Sequence, residues 1–311
     1  MRGHVDYKAR ELDCAVIGGG PAGLTAALYL ARYRLKVTVF DDGLSRAAAI
    51  PLSRNVPGFP QGISGMDLLS HMRNQALQYG AVFKNVPVTS MVREGDRFLV
   101  STPDGRSPAR AVLMATGVTD RRPRMPISLH DAAVAKGLLR YCPICDGYEM
   151  TDRKIAVIGA GSHAYAEVLF LRSFTQALSL IAPEGEFDMS DTEFSTLEEL
   201  GVTLVSGPLF GISPIADGIR LAVARGALDF DAAYPALGCD ARSGLAQMLG
   251  ADLSSDGCIM VDKHQRSTVP GLYAAGDNVP GLNQISSAVG QAAVAATAIR
   301  NDLSKQMTLC R

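Results

Sequence analysis

A strand that ends in Gly-x-Gly-x-x-small and runs straight into a helix has few folds open to it, and this chain carries that element twice. Cys14-Ala-Val-Ile-Gly-Gly-Gly-Pro-Ala-Gly23 reads as a short buried strand entering a glycine-rich turn. Leu24, Ala27, Leu28 and Ala31 continue it as the apolar stripe of a helix. Lys36-Val-Thr-Val-Phe40 is the next strand and ends at Asp41. Gly18 permits the tight turn, Gly20 lets backbone approach a pyrophosphate, and Gly23 lets helix and strand pack closely. The helix start offers unpaired N–H groups and a positive dipole end to phosphates. Asp41, 23 residues beyond Gly18, is placed to accept the hydroxyls of an adenosine ribose.

An offset of 141 residues brings the pattern back: Ile155-Ala-Val-Ile-Gly-Ala-Gly-Ser-His-Ala164 puts Gly159, Gly161 and Ala164 at the three small-residue positions. Tyr165, Val168 and Leu169 continue a helical stripe, and Leu178-Ser-Leu-Ile181 is the next strand. Ala182 falls where Asp41 falls in the first unit, followed by Pro183 and Glu184. Residues 91–102, turning at Glu94-Gly95-Asp96, and then Pro103-Asp104-Gly105 predict a β-meander that leads into a strand at 111–117. Residues 209–224, turning at Asp217-Gly218, lead in the same way to 228–231 and Gly238. Leu272-Tyr-Ala-Ala-Gly-Asp277 is a further buried strand, and a small-residue helix is expected over 286–303. The expected fold is α/β: two Rossmann-like, three-layer dinucleotide-binding domains, each with a β-meander, the second inserted into the first. The first takes 1–118 plus 243–311 and the second 119–242, with crossovers near 118–126 and 238–243.

Composition narrows the function classes. A length of 311 residues suits about two domains, and 47% hydrophobic residues are ample for their cores. A net charge of −1 argues against nucleic-acid or anionic-membrane binding by bulk electrostatics. Without a long uninterrupted apolar run no transmembrane helix is expected, and the charged start argues against a secretory signal. Six cysteines are too few and too scattered for a disulfide scaffold. The expectation is a soluble cytoplasmic enzyme.

Tyr141-Cys-Pro-Ile-Cys-Asp146 stands just upstream of the second glycine motif. Cysteines at i and i+3 on a turn or helix start bring two sulfurs onto one face, where a disulfide closes and reopens. A helix start lowers the pKa of a thiol and supplies the nucleophile. Asp146 is a candidate proton donor and acceptor for the leaving thiol. A metal site needs further ligands, and no second Cys-x-x-Cys exists, so a redox dithiol is the expectation and no metal is assigned. Cys14 reads as a core residue, Cys239 and Cys258 as lone cysteines in loop or strand-edge contexts, and Cys310 as an inert tail thiol. His163 lies in the second glycine motif, while His4, His71, His130 and His264 have no acidic or cysteine neighbours at catalytic spacing.

With these motifs assembled, the chain resembles the low-molecular-weight thioredoxin reductase family over nearly its whole length. The residues that carry the likeness are Gly18-Gly-Gly-Pro-Ala-Gly23, Ala115-Thr-Gly117, Cys142-Pro-Ile-Cys-Asp146, Gly159-x-Gly-x-x-Ala164 and Gly271-Leu-Tyr-Ala-Ala-Gly-Asp277. The resemblance implies FAD on the first domain, held by Gly18, Gly20, Pro21, Ala22, Gly23, Asp41, Ala115, Thr116, Gly117, Gly276 and Asp277. Asp277 would lie near the ribityl and pyrophosphate region, with Gln284 and Ile285 by the flavin ring. It implies a homodimer and a hinge at the crossovers. It also implies that Cys145 faces the flavin, that Cys142 exchanges with a partner disulfide, and that Asp146 is the acid/base.

NADPH-using members of that family carry His-Arg-Arg where this chain has Ala182-Pro183-Glu184, and arginine where it has Asn283. Two like charges about 4 Å apart at an effective dielectric near 20 repel by about 4 kcal/mol, nearly a thousandfold in affinity. The departure argues against NADPH as direct reductant and toward ferredoxin-dependent or deeply rooted thioredoxin reductases. The expected function is an FAD-dependent thiol–disulfide oxidoreductase that reduces a thioredoxin-like protein through Cys142 and Cys145, with ferredoxin a candidate donor. The alternative is a flavin dithiol oxidase that forms a disulfide in a small dithiol metabolite with O2 as acceptor. Such oxidases typically have histidine after the second cysteine, and Asp146 favours the reductase.

Overall fold

A computed structural model describes residues 11–306; His4, Cys310 and most of the charged start lie outside them. Along the chain, β1 (Leu12–Ile17), α1 (Pro21–Arg32) and β2 (Val37–Phe40) form the first glycine unit, followed by α2 (Gly65–Gln78) and β3 (Val82–Lys84). Then come β4 (Ser90–Glu94), β5 (Arg97–Thr102), β6 (Gly105–Met114) and β7 (Val118–Asp120). The second stretch holds α3 (Ile127–Ala135), α4 (Pro143–Asp146), β8 (Ile155–Ile158), α5 (Ser162–Leu171), β9 (Leu178–Ile181), α6 (Asp191–Glu199) and β10 (Thr203–Val205). It continues with β11 (Leu209–Ile215), β12 (Gly218–Val223), β13 (Gly226–Phe230) and β14 (Ala232–Pro235). The chain returns through β15 (Cys239–Ala241) and α7 (Gly244–Met248) and ends with β16 (Leu272–Ala274) and α8 (Ile285–Gln306).

These elements make two compact units, one holding residues 11–48, 65–119 and 240–306, the other 49–64 and 120–239. Sequence reasoning kept 49–64 in the first domain. That segment closes on itself through reciprocal backbone bonds between Ser53 and Ile63, and its Asn55 amide donates to the Ile144 carbonyl of the second unit at 3.5 Å. It adds no strand to the large sheet, so side-chain partners decide where it packs. The two chain crossings, β7 and β15, pair with each other.

In the first unit the sheet order is β3-β2-β1-β6-β5-β4, with β16 also paired to β6. Parallel strands covered on both faces read as continuous apolar runs, and Cys14 to Ile17 and Val37 to Phe40 are all buried. Small residues let the helices on one face approach each other: Ala22, Ala26 and Ala27 of α1 share a core cluster with Ala288, Ala292, Ala295 and Ala296 of α8. Sequence reasoning separated the meander from a strand at 111–117, whereas β6 serves both. Its first half pairs antiparallel with β5, and Ala109 onward runs parallel to β1. It stops at Met114, and Gly117 takes a φ of 65°.

The second unit repeats the plan in smaller form, with a parallel sheet in the order β10-β9-β8-β14 and a meander β11-β12-β13. All four residues of β8, β9 and β14 are buried. Among the described residues no helix is long and apolar enough to cross a membrane.

Candidate functional site

α3 runs out at Lys136, and Gly137 takes a φ of 65°, the left-handed conformation that ends a helix. The chain then lies along the free edge of β14: the Ala233 amide donates to the Leu138 carbonyl, and the Arg140 amide to the Ala233 carbonyl, both at 2.9 Å. Pro143 starts α4 because proline's missing N–H costs nothing in a first turn. Cys142 is the residue before that helix and Cys145 lies within it. The two are joined as a disulfide with Cα atoms 5.2 Å apart, inside the range such a bond requires. Between and beyond them, Ile144 is 47% and Tyr148 78% exposed, an apolar rim beside the sulfurs.

Asp146 is the next residue. Its Oδ2 accepts from Arg140 Nη1 at 2.7 Å, and its Oδ1 accepts from the buried Tyr234 hydroxyl at 2.7 Å. Arg140 Nε donates to the Gly137 carbonyl at 2.7 Å, so the guanidinium is fixed at both ends. Burial first, and the Asp146 carboxylate next, push Tyr234 far above the usual phenol range. Beside Cys142, the Tyr141 hydroxyl lies 2.7 Å from Nε2 of buried His130, whose Nδ1 is 2.8 Å from Asp131. Sequence spacing missed Tyr234 and Tyr141, which the fold alone brings to 146 and 130; it also passed over Arg140, six residues from Asp146, and read His130 as lacking an acidic neighbour although Asp131 is its partner.

The first glycine turn has the shape a dinucleotide pyrophosphate needs. Gly18 stands at φ 109°, and a Cβ there would run into the Ala115 carbonyl; one at Gly23 would run into the carbonyl of Gly18. Asp41 Oδ1 accepts from the Gly19 and Gly43 amides at 3.1 and 3.3 Å, which anchors the carboxylate at the turn. A cavity of about 350 Å³ opens beside it, walled by Ile17, Gly18, Phe40, Pro87, Val88 and Leu245. Flat apolar walls with a few polar groups suit a heteroaromatic ring such as adenine. Asp277 is paired with Arg46 at 3.3 Å, and the Gly276 amide donates to Gln291 at 2.8 Å. Gln284 lies just before α8 and Ile285 opens it. Fully buried Asn278, which sequence reasoning passed over, donates to the Met114 carbonyl and to the Thr116 hydroxyl, each at 3.1 Å. Its Oδ1 has no hydrogen-bond partner among the described residues, and such a buried acceptor suits a cofactor hydroxyl or a water. The residues present thus fit FAD.

The second glycine turn is furnished differently. Gly159 is again obligatory, since a Cβ there would meet Ala164 Cβ at 2.5 Å and the Ala236 carbonyl at 2.9 Å. The Asp188 amide donates to the Ala160 carbonyl at 2.7 Å, and its carbonyl would lie 3.4 Å from a Cβ at Gly161. Glu193 caps α6 through Ser190 and also hydrogen-bonds Ser162, the first residue of α5; these bonds hold its carboxyl below the usual range. Ala182 is buried, Glu184 pairs with Arg124 at 3.2 Å, and Arg172 donates to the Leu200 carbonyl at 3.3 Å. His163 pairs with Glu167 at 3.4 Å, which raises its pKa.

Residues 12–292 match the family model described as pyridine nucleotide-disulphide oxidoreductase. The chain is 32% identical to the thioredoxin reductase of Mycolicibacterium smegmatis over 283 residues, 86% of this chain and 88% of that one. It is 33% identical to the bifunctional thioredoxin reductase/thioredoxin of Mycobacterium leprae (strain TN) over 287 residues, 86% of this chain and 60% of that one. The crystal structure of thioredoxin reductase from Streptococcus pyogenes MGAS5005 matches with a TM-score of 0.87 at 26% identity, covering 95% of this chain and 99% of that one. The chain belongs to the pyridine nucleotide-disulphide oxidoreductase family, as a flavoprotein disulfide oxidoreductase of the low-molecular-weight thioredoxin reductase type.

Proposed function

We propose that this chain reduces the disulfide of a thioredoxin-like protein through Cys142 and Cys145, with FAD in the first unit and an electron donor other than NADPH. The observation that carries the reading is the closed Cys142–Cys145 disulfide with Asp146 directly after it. FAD, when bound and reduced by that donor, would supply the two electrons that open the disulfide. The Cys142 thiolate then attacks one sulfur of the partner's disulfide, forming a mixed disulfide and releasing a partner thiolate that takes a proton. Asp146 carries the proton between the attacking and the leaving thiol. The Cys145 thiolate next attacks Cys142 Sγ, which restores the internal disulfide and releases the second partner thiol. The partner gains two electrons and two protons, and the dithiol loses the same. Exposed Ile144 and Tyr148 give a protein partner an apolar rim to cover. The Mycobacterium leprae relative, which joins a thioredoxin to its reductase, supports a thioredoxin-like substrate.

The donor assignment rests on the second glycine turn. Glu184, paired with Arg124, stands in the place of the family's arginine signature, and Glu193 bonds Ser162, the first residue of α5. An anaerobic titration compares NADPH, NADH and a reduced ferredoxin: the flavin absorbance stays nearly unchanged with NADPH and bleaches with ferredoxin. Rapid stoichiometric bleaching by NADPH overturns the donor assignment. Photoreduced enzyme passes electrons to thioredoxin, and Cys142→Ser lowers that transfer by on the order of a thousandfold. Unchanged transfer in that variant, or peroxide formation from a small dithiol and O2 with indifference to thioredoxin, overturns the reductase reading.

A further inference from the structure

Asp146 is held by two groups that the cysteine motif does not contain. Arg140 reaches Oδ2 from the segment that edges β14, and Tyr234 reaches Oδ1 from β14 itself, each at 2.7 Å. Both come from one strand edge because the backbone bonds between Ala233 and residues 138 and 140 fix their register. The arginine is itself restrained by the Gly137 carbonyl, and the tyrosine is fully buried. A carboxylate accepts about four hydrogen bonds, so two remain for a thiol.

We propose that Arg140 and Tyr234 are positioning residues that keep Asp146 aimed and charge-balanced, so that no uncompensated negative charge opposes the thiolate of Cys142. This rests on the dithiol reading above and extends it to residues outside the motif. A carboxylate next to a thiol disfavours the thiolate, and a paired cation removes that penalty. Cys142 is the extended residue that precedes α4 and Asp146 is the last residue of that four-residue helix, so the carboxylate stands directly after the dithiol it serves. Tyr234 remains a hydrogen-bond donor because burial and the carboxylate both oppose its ionisation. The other groups around it are accounted for: Glu149, which also acts on Tyr234, pairs with Arg54 at 3.7 Å, and His130 is bonded to Tyr141 and Asp131.

The test uses reduced holoenzyme and the pH dependence of iodoacetamide labelling, with each cysteine followed by mass spectrometry. Arg140→Gln moves the Cys142 midpoint up by about one pH unit, so labelling at pH 7 slows about tenfold. Arg140→Lys restores most of that rate, since it returns the charge without the planar fork. Tyr234→Phe lowers kcat toward a bacterial thioredoxin several-fold and leaves KM unchanged. Flavin spectrum and thermal melt certify each variant as folded; if Arg140→Gln is not, Tyr234→Phe carries the test through its kcat. A folded Arg140→Gln with a wild-type labelling midpoint, or a folded Tyr234→Phe with wild-type kcat, overturns the proposal. If Cys142→Ser also leaves transfer intact, the dithiol reading has failed instead, and the two failures stay distinct.

Discussion

At Gly18 the backbone takes a φ of 109° and Asp41 bonds the neighbouring amide, while at the matching Gly159 the strand ends against Ala164 and Ala236 and no acid follows at 182. Both turns need glycine whatever is bound, because a Cβ would meet the Ala115 backbone at the first and Ala164 and Ala236 at the second. They part company in what approaches from the next strand. The first turn meets an anchored carboxylate and a cavity of about 350 Å³. The second meets its own chain: the Asp188 backbone bridges to it and Glu193 bonds the first residue of α5. Glycine spacing therefore reports a strand–turn–helix unit, and ligand choice is written in the loop after the second strand.

Gly18→Val breaks that comparison most severely. The conformation alone costs about 1–3 kcal/mol for a residue with a side chain, and the new Cβ meets backbone that has nowhere to go. The purified variant is expected colourless, with its melting transition lowered or lost. Ala164→Gly at the third small position of the other turn keeps its flavin and costs about 1 kcal/mol in helix propensity. Full flavin occupancy in Gly18→Val shows that the two turns are not distinguished in this way.

The units also place their ion pairs differently. In the first, Asp302 of α8 accepts two bonds from Arg266, at 2.6 and 3.1 Å, and one from Tyr273 at 2.8 Å. Arg266 holds that carboxyl far below its usual range. A carboxyl with a depressed folded-state value stabilises fully above its unfolded value near pH 4 and loses that contribution as the pH falls further. Asp302→Asn is expected to cost about 2 kcal/mol at pH 7, and the gap from wild type closes in denaturant titrations repeated at acid pH. The second unit's Arg220–Asp229 pair, about half exposed on both sides, gives no resolvable change on Arg220→Gln. A gap for Asp302→Asn that persists in acid assigns its effect to packing rather than charge.

What was legible followed local rules. Strands, helices, both glycine turns and the dithiol stand in short windows, and the apolar runs of β1, β2, β8 and β9 mark buried parallel strands directly. The joint role of β6 was hidden because the expected strand began only at Ala111, yet Pro108 already pairs with Leu99 within the meander. Asn278 was hidden for another reason: its partners Met114 and Thr116 lie over 160 residues away and meet it only when β16 joins β6. Tyr234, 88 residues from Asp146, follows the same pattern, whereas Arg140 lies only six residues from it and was missed within the motif's own neighbourhood. Motifs carry the chemistry that neighbours in sequence can do, and the sheet supplies the rest.

Glu184 sharpens the comparison at smaller scale. Sequence alone suggested a repulsion of about 4 kcal/mol against a 2′-phosphate, a value for two charges held about 4 Å apart under limited screening. The side chain is 71% exposed and already paired with Arg124. Water and the neighbouring cation both reduce its field, which leaves at most about 1 kcal/mol. Glu184→Arg is therefore expected to tighten NADPH only about tenfold or less, and Glu193→Ser, which frees the start of α5, to add a comparable step. Calorimetric titration of NADPH into wild type and the two variants reads both. A thousandfold gain from Glu184→Arg alone would mean that this one side chain, rather than the whole occupied turn, excludes the nucleotide.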